Sequence, residues 1–217
     1  MIIDSQIQFG PSLDKFSESA IKCEPMLHRA SPDFAMKNGG PITRHFISML
    51  TIDGRWKPSK FRDIIIDSRV HMLMENFYPC IPGWHHDDVP REREDGQPNY
   101  INPSYKSEHV MALWGDCSLT EFALGACGVD IPPIGKKIYK EVDSVIEQRC
   151  LDGDLYRLKA PERQLLYFNW QSWHRGTAAT KRGFRFFIRA TTSTGLQARN
   201  EVRYNANVYL KDLSEGW

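Results

Sequence analysis

Residues 168–192 read FNWQSWHRGTAATKRGFRFFIRATT, and the last ten of them decide the fold. Side chains alternate across a strand, so from Gly183 to Thr192 one face carries Arg185, Phe187 and Arg189 and the other carries Phe184, Phe186, Ile188 and Ala190. The second set is the apolar wall of a sheet packed on a hydrophobic layer. The first set puts guanidinium groups beside that wall, and a guanidinium in a dry site requires a carboxylate or phosphate. Its counter-charge is either a protein side chain or a small acid that the protein holds. Just upstream, His174 stands at the mouth of another strand, followed by the small-residue turn Gly176 to Thr180.

Outward from this stretch, further runs rich in β-branched and aromatic residues predict strands: Thr43 to Ile52, Phe61 to Ile66, Arg69 to Tyr78, Glu108 to Trp114 and Leu119 to Leu124. Asp154 to Lys159, Gln164 to Phe168 and Glu201 to Leu210 complete the set, with turns expected at Asp53-Gly54 and Asp67-Ser68. Helix is expected from Ser12 to about Leu27 and in part of the insertion Lys136 to Asp152. Many short strands and few helices argue for a mainly β sandwich, jelly roll or barrel. The expected layout is one domain over 1–217, with a helical or irregular extension over 1–42 and the β core over 43–217. The polar stretch from Pro90 to Ser107 is long for an internal loop, which suggests a lid over about 90–107.

The 217 residues are 41% hydrophobic, enough to enclose a core, and the net charge of +1 provides no global field to recruit nucleic acid or anionic lipid. Five scattered cysteines without a C-x-x-C motif suggest reduced thiols rather than a disulfide framework. The N-terminus MIIDSQIQFGPS lacks the basic and apolar regions of an export signal, and no run is long enough to cross a bilayer. A cytoplasmic protein is expected.

Two segments carry residues that suit a metal. After the turn Pro82-Gly83-Trp84 comes His85-His86-Asp87-Asp88, and His174 lies far downstream. On a strand, positions i and i+2 face the same way, so His85 and Asp87 reach one ion while His86 points elsewhere. His86 and Asp88 have the same spacing; the turn just before favours His85 as the first strand residue. Two histidines and a carboxylate on one side of an ion leave its other side open, as non-haem Fe(II) oxygenases require.

These residues resemble the Fe(II)- and 2-oxoglutarate-dependent dioxygenases of the double-stranded β-helix fold, also called jelly roll or cupin-like, here with flanking helices. The resemblance rests on H-x-D at 85–87, the distal His174 and an arginine eleven residues beyond it, Arg185, over about residues 69–192. That last spacing is similar to the phytanoyl-coenzyme A hydroxylase and taurine dioxygenase branches. It implies that His85, Asp87 and His174 bind Fe(II) and are the catalytic set, and that Arg185 pairs with the distal carboxylate of 2-oxoglutarate. Thr120, in GDCSLTEFA (115–123), matches the threonine that helps hold the same group. Dioxygen is then the co-oxidant and ascorbate a supporting reductant, and the outcome is hydroxylation of a small metabolite or a nucleobase or nucleotide. Because Asp87 is present, the resemblance does not extend to halogenases, which replace that carboxylate with a small residue.

Substrate contacts are expected from Arg189, Trp84 and Trp173. Tryptophans on strands are more often core, however, and Arg189 is equally placed to pair with Glu121 or another acid. His71 and His109 have no partner at metal spacing and read as structural. Two rivals remain: a cupin-like binding module without turnover, and a metal-assisted hydrolase built on the His-His-Asp-Asp cluster, which leaves Arg185 unexplained.

Overall fold

The computed structural model describes residues 1–55, 64–192 and 195–210. At its centre, strand β10 (Gly183–Thr192) pairs antiparallel with β4 (Ile64–Leu73) on one side and β5 (Glu108–Trp114) on the other. β8 (Gln164–Asn169) and β2 (Ile7–Ser12) extend this sheet to the order β2-β8-β5-β10-β4. Phe186, Ile188 and Ala190 lie in one apolar layer with Val110, Ala112 and Trp114 of β5, as alternation requires. That layer is covered by α1 (Glu18–Cys23), α2 (Pro32–Asn38) and α3 (Pro41–Asp53), through residues such as Ile21, Ala35 and Phe46.

The other face of the sheet looks at a second antiparallel sheet. Here β6 (Thr120–Gly128) pairs with β1 (Ile2–Ser5), β7 (Tyr156–Lys159) and β9 (Trp173–Gly176). Met111, Leu113, Leu166 and Phe168 of the first sheet meet Phe122 of the second between them. The outer face of the second sheet is closed by α4 (Ile138–Leu151), whose Ile138, Tyr139, Val142 and Ile146 pack on Ile3, Ala123 and Trp173. A short ribbon of β3 (Met26–His28) with β11 (Glu201–Arg203) completes the set. The architecture is mainly β, two facing antiparallel sheets with few helices, compatible with a β-sandwich or cupin-like fold.

Several expected elements differ. Thr43 to Ile52 is helix α3, not strand: Pro41 opens it, Gly54 closes it in the left-handed region (φ 68°), and Ile42, Phe46, Ile47 and Leu50 line its buried side at helical spacing. The helix expected from Ser12 is confined to Glu18–Cys23, where the Ser17 side chain caps Ala20 N–H. Residues 1–42 are therefore not simply helical or irregular, since β1 and β2 each add a strand to one of the two sheets. Asp67-Ser68 is no turn. Asp67 sits in the β4 ladder opposite Arg189, with its carboxylate taken by Arg29 N–H and Arg203, while Ser68 Oγ accepts from Leu27 N–H. Phe61 lies outside the described residues. Of the span Glu201 to Leu210 only Glu201–Arg203 forms a strand, and Val202, Tyr204, Val208 and Leu210 are exposed, so their alternation covers no core. Residues 90–107 do form a long irregular loop, but it is tied to the α4 side: Tyr100 is buried, Asp95 accepts from Gly135 N–H and Gln97 from Ile138 N–H. None of its residues lines the cavity described next, although at its end Ser107 Oγ donates to the Asp88 carbonyl at 3.3 Å.

Candidate metal centre

His85 and His174 are brought together by an isolated antiparallel bridge in which each backbone N–H donates to the other's carbonyl (3.0 and 3.1 Å). The chain reaches this bridge through Gly83, at φ 118°, a conformation that side chains with a Cβ rarely adopt. The turn is fixed from α4: Asp143 accepts from Trp84 N–H at 2.6 Å and Glu147 from the Trp84 indole at 3.0 Å. Asp87 joins the two histidines, and one ligand atom from each of the three lies within 4.8 Å of the others.

The ring environments define the donor set. His85 Nδ1 faces the Gly83 carbonyl at 2.9 Å and His174 Nδ1 faces the Ser172 carbonyl at 2.8 Å. A carbonyl only accepts, so both Nδ1 atoms carry the proton and each Nε2 presents its lone pair, as a metal ligand does. His174 Nε2 then lies 3.0 Å from Asp87 Oδ2. Lone pair facing lone pair is repulsive unless a proton or a cation sits between them. Burial, with His174 nearby, pushes His85 down to about 4, so the ring is neutral at physiological pH, as ligation requires. Burial alone would raise Asp87, but Arg189 and His174 outweigh it and hold the carboxyl well below its usual range. The residues present therefore fit a divalent ion of the iron, cobalt or zinc type.

His86 is turned away. Its Nδ1 meets the Tyr100 hydroxyl at 2.7 Å, and its ring lies on Trp173 with centroids 3.6 Å apart. Asp88 adopts φ 50° and accepts from Arg189 at 2.8 Å. The ligand atoms that converge are those of His85 and Asp87, not the pair one residue later.

Beside this cluster opens a cavity of about 330 Å³ that also reaches Thr120 and Arg185. Arg185 is 4% exposed; its Nε donates to the Ser118 carbonyl (2.7 Å) and Nη2 to Thr120 Oγ1 (3.0 Å). Among the described residues no carboxylate pairs with it, and burial pushes it down to about 10. The acid expected for this guanidinium is thus not supplied by a described side chain. Directly opposite in the β4 ladder stands His71, 2% exposed, with neither ring nitrogen hydrogen-bonded. The Asn207 main chain is a polar neighbour of its ring, and burial together with Arg185 and Arg69 pushes His71 down to about 3. His109, by contrast, is bonded through both ring nitrogens, to Thr191 and Ser107.

The other expected substrate contacts are placed elsewhere. Trp84 and Trp173 are fully buried in the layer under α4 and do not line the cavity. Alternation explains this, because each precedes a histidine that faces inward and so faces outward itself. Arg189 does line the cavity, but its guanidinium is bound to Asp87 and Asp88, while Glu121 pairs with Arg175 at 2.7 Å. Sequence reasoning missed Arg69 and His71, which share a cavity face of β4 at i and i+2. Their spacing was visible, but the register that sets them against β10 was not.

No protein-family model and no curated protein matches the chain. Among solved structures the chain is similar to EvdO2 from Micromonospora carbonacea var. aurantiaca complexed with 2-oxoglutarate, at 7% identity and a TM-score of 0.35. That similarity covers 66% of this chain and 57% of the other, a little over half of that protein's length.

Proposed function

We propose that this chain is a non-haem Fe(II) oxygenase of the double-stranded β-helix type that uses 2-oxoglutarate and dioxygen to hydroxylate a small molecule. The observation that carries this reading is the buried Arg185, without a described carboxylate partner, in the same cavity as the convergent His85, Asp87 and His174. A hydrolase leaves that guanidinium unexplained, whereas a small dicarboxylate cosubstrate pairs with it.

In this mechanism His85, Asp87 and His174 would hold the metal, the two-histidine, one-carboxylate set that suits Fe(II). The Gly83 and Ser172 carbonyls fix both imidazoles in the tautomer that presents Nε2. Arg185 pairs with the distal carboxylate of 2-oxoglutarate. Because Thr120 Oγ1 already accepts from Arg185, its own hydroxyl proton is free to donate to the same carboxylate. Phe168, its ring 5.3 Å from that of His174, and Met111 keep this part of the cavity apolar. When bound, Fe(II) with 2-oxoglutarate and dioxygen supplies the oxidising power, and the cosubstrate leaves as succinate and carbon dioxide. Ascorbate serves only to keep the iron reduced.

One observation favours the rival of a protein without turnover: Arg189 already neutralises Asp87, so the carboxylate is satisfied without an ion. Anaerobic titration of the Fe(II)-loaded protein with 2-oxoglutarate separates the two. The oxygenase gives the weak visible charge-transfer band of a chelated keto acid, and Arg185→Ala weakens the chelate about 10–100-fold, the range for a lost charge-assisted pair. Arg182→Ala, at an exposed position just before β10, leaves it unchanged. No band, or equal effects of the two substitutions, contradicts the reading.

A further inference from the structure

Among the described residues the cavity is lined by five arginines (Arg29, Arg69, Arg185, Arg189 and Arg203) and three aspartates (Asp67, Asp87 and Asp88). All three carboxylates are engaged: Asp67 with Arg203, and Asp87 and Asp88 with Arg189. The side chains of Arg29 and Arg69 form no hydrogen bond or ion pair among the described residues. This surplus of two positive charges survives the proposed loading, because a divalent metal adds two positive charges and 2-oxoglutarate adds two negative ones. Such a surplus of positive charge in one cavity favours the entry of an anion.

Local geometry places part of the surplus. Arg69 and His71 alternate on β4, so both face the cavity, and in the ladder Arg69 is opposite Phe187 and His71 opposite Arg185. His71 is buried with neither ring nitrogen in a hydrogen bond of ordinary geometry among the described residues, next to a guanidinium that no described carboxylate pairs. Planar recognition is poorly served by contrast. Among the described residues no tryptophan lines the cavity, Phe168 is already stacked on His109 (4.7 Å), and Phe187 has the Arg185 guanidinium over its ring (5.2 Å). A nucleobase or indole finds no free aromatic face among them.

We propose that the primary substrate is a small organic oxyanion, a carboxylate or a phosphate ester, whose charged group is bound by Arg69 with His71 donating a hydrogen bond. This rests on the oxygenase reading for the role of the bound molecule. Arg185 holds the cosubstrate, and Arg69 holds the molecule to be oxidised.

The test is an anaerobic titration of the Fe(II)-loaded protein, held at saturating 2-oxoglutarate, with acetate and separately with inorganic sulfate, followed by calorimetry and by the charge-transfer band. Acetate stands for a carboxylate and sulfate for a phosphate ester, so the tighter binder names the source. Saturable binding that weakens tenfold or more in Arg69→Gln and is restored in Arg69→Lys is the expected result. The 2-oxoglutarate affinity of Arg69→Gln should stay within threefold of the unsubstituted protein. Oxyanion binding indifferent to Arg69→Gln overturns the proposal, as does perturbation of the band by adenosine or indole but not by either anion. Loss of 2-oxoglutarate in Arg69→Gln equal to that in Arg185→Ala also overturns it, by assigning Arg69 to the cosubstrate. Absence of any 2-oxoglutarate band in the unsubstituted protein sinks the oxygenase reading instead, and sulfate titration of the metal-free protein then still decides whether Arg69 binds an oxyanion.

Discussion

Asp87 has two claims on it, and the balance between them sets how the site behaves without metal. Arg189 lies against its carboxylate and also takes Asp88, and these two aspartates outweigh burial to hold the guanidinium firmly charged. Removing one partner of a buried pair costs about 3–5 kcal/mol, because the other is left uncompensated. Arg189→Met is therefore expected to destabilise the metal-free protein by about that amount in denaturant unfolding, with much of the loss recovered when a divalent ion takes the vacated place beside Asp87. Equal loss with and without metal would mean that Arg189 serves the fold and not the ligand. That His85, Asp87, His174 and Arg185 share one cavity was legible because H-x-D, a second histidine and an arginine at a fixed offset from it form a recognisable pattern. Arg69 and His71 were not, because their meaning depends on the pairing of two strands remote in sequence.

Elements position the site through α4. Its Asp143 and Glu147 hold the Trp84 backbone and indole, and the Tyr139 hydroxyl donates to the His86 carbonyl at 2.9 Å, so one helix clamps the turn that aims His85. Partners that orient a ligand from outside the metal shell commonly contribute 10–100-fold to affinity. Asp143→Ala is expected to weaken Fe(II) binding about tenfold in a competition titration against a chromophoric chelator, and unchanged affinity would show that the turn holds itself. The central strand was readable because ten residues of clean alternation leave one solution. Helix α3 was misread because Ile42, Thr43, Ile47, Thr51 and Ile52 are β-branched and mask a helical spacing of buried residues. The alternation of Val202 to Leu210 misled in the other direction: it is present, but among the described residues these side chains stay exposed.

For the whole molecule, several buried imidazoles couple folding to pH. Burial is the leading cause that lowers His71, His85, His86 and His109, reaching about 3 for His71 and about 4 for His85. A folded-state value below the unfolded one means that the unfolded chain binds more protons between the two, so stability is present above about pH 6.5 and is lost as the pH falls through that window. Each such histidine contributes a slope of up to about 1.4 kcal/mol per pH unit. In chelator, unfolding free energy is expected to fall steeply from pH 6.5 to 4.5, and His71→Gln should make that fall shallower by up to one such increment. An identical slope in His71→Gln would show that the ring is protonated or solvated in the folded protein.

The centre itself is tested most directly by anomalous diffraction at the iron edge, on crystals grown anaerobically with Fe(II) and 2-oxoglutarate. The expected map has one strong peak bound by Nε2 of His85, Nε2 of His174 and a carboxylate oxygen of Asp87, with the distal carboxylate of 2-oxoglutarate on Arg185. A peak on other residues, or Asp87 still closed on Arg189 with no iron beside it, would contradict the proposed enzyme.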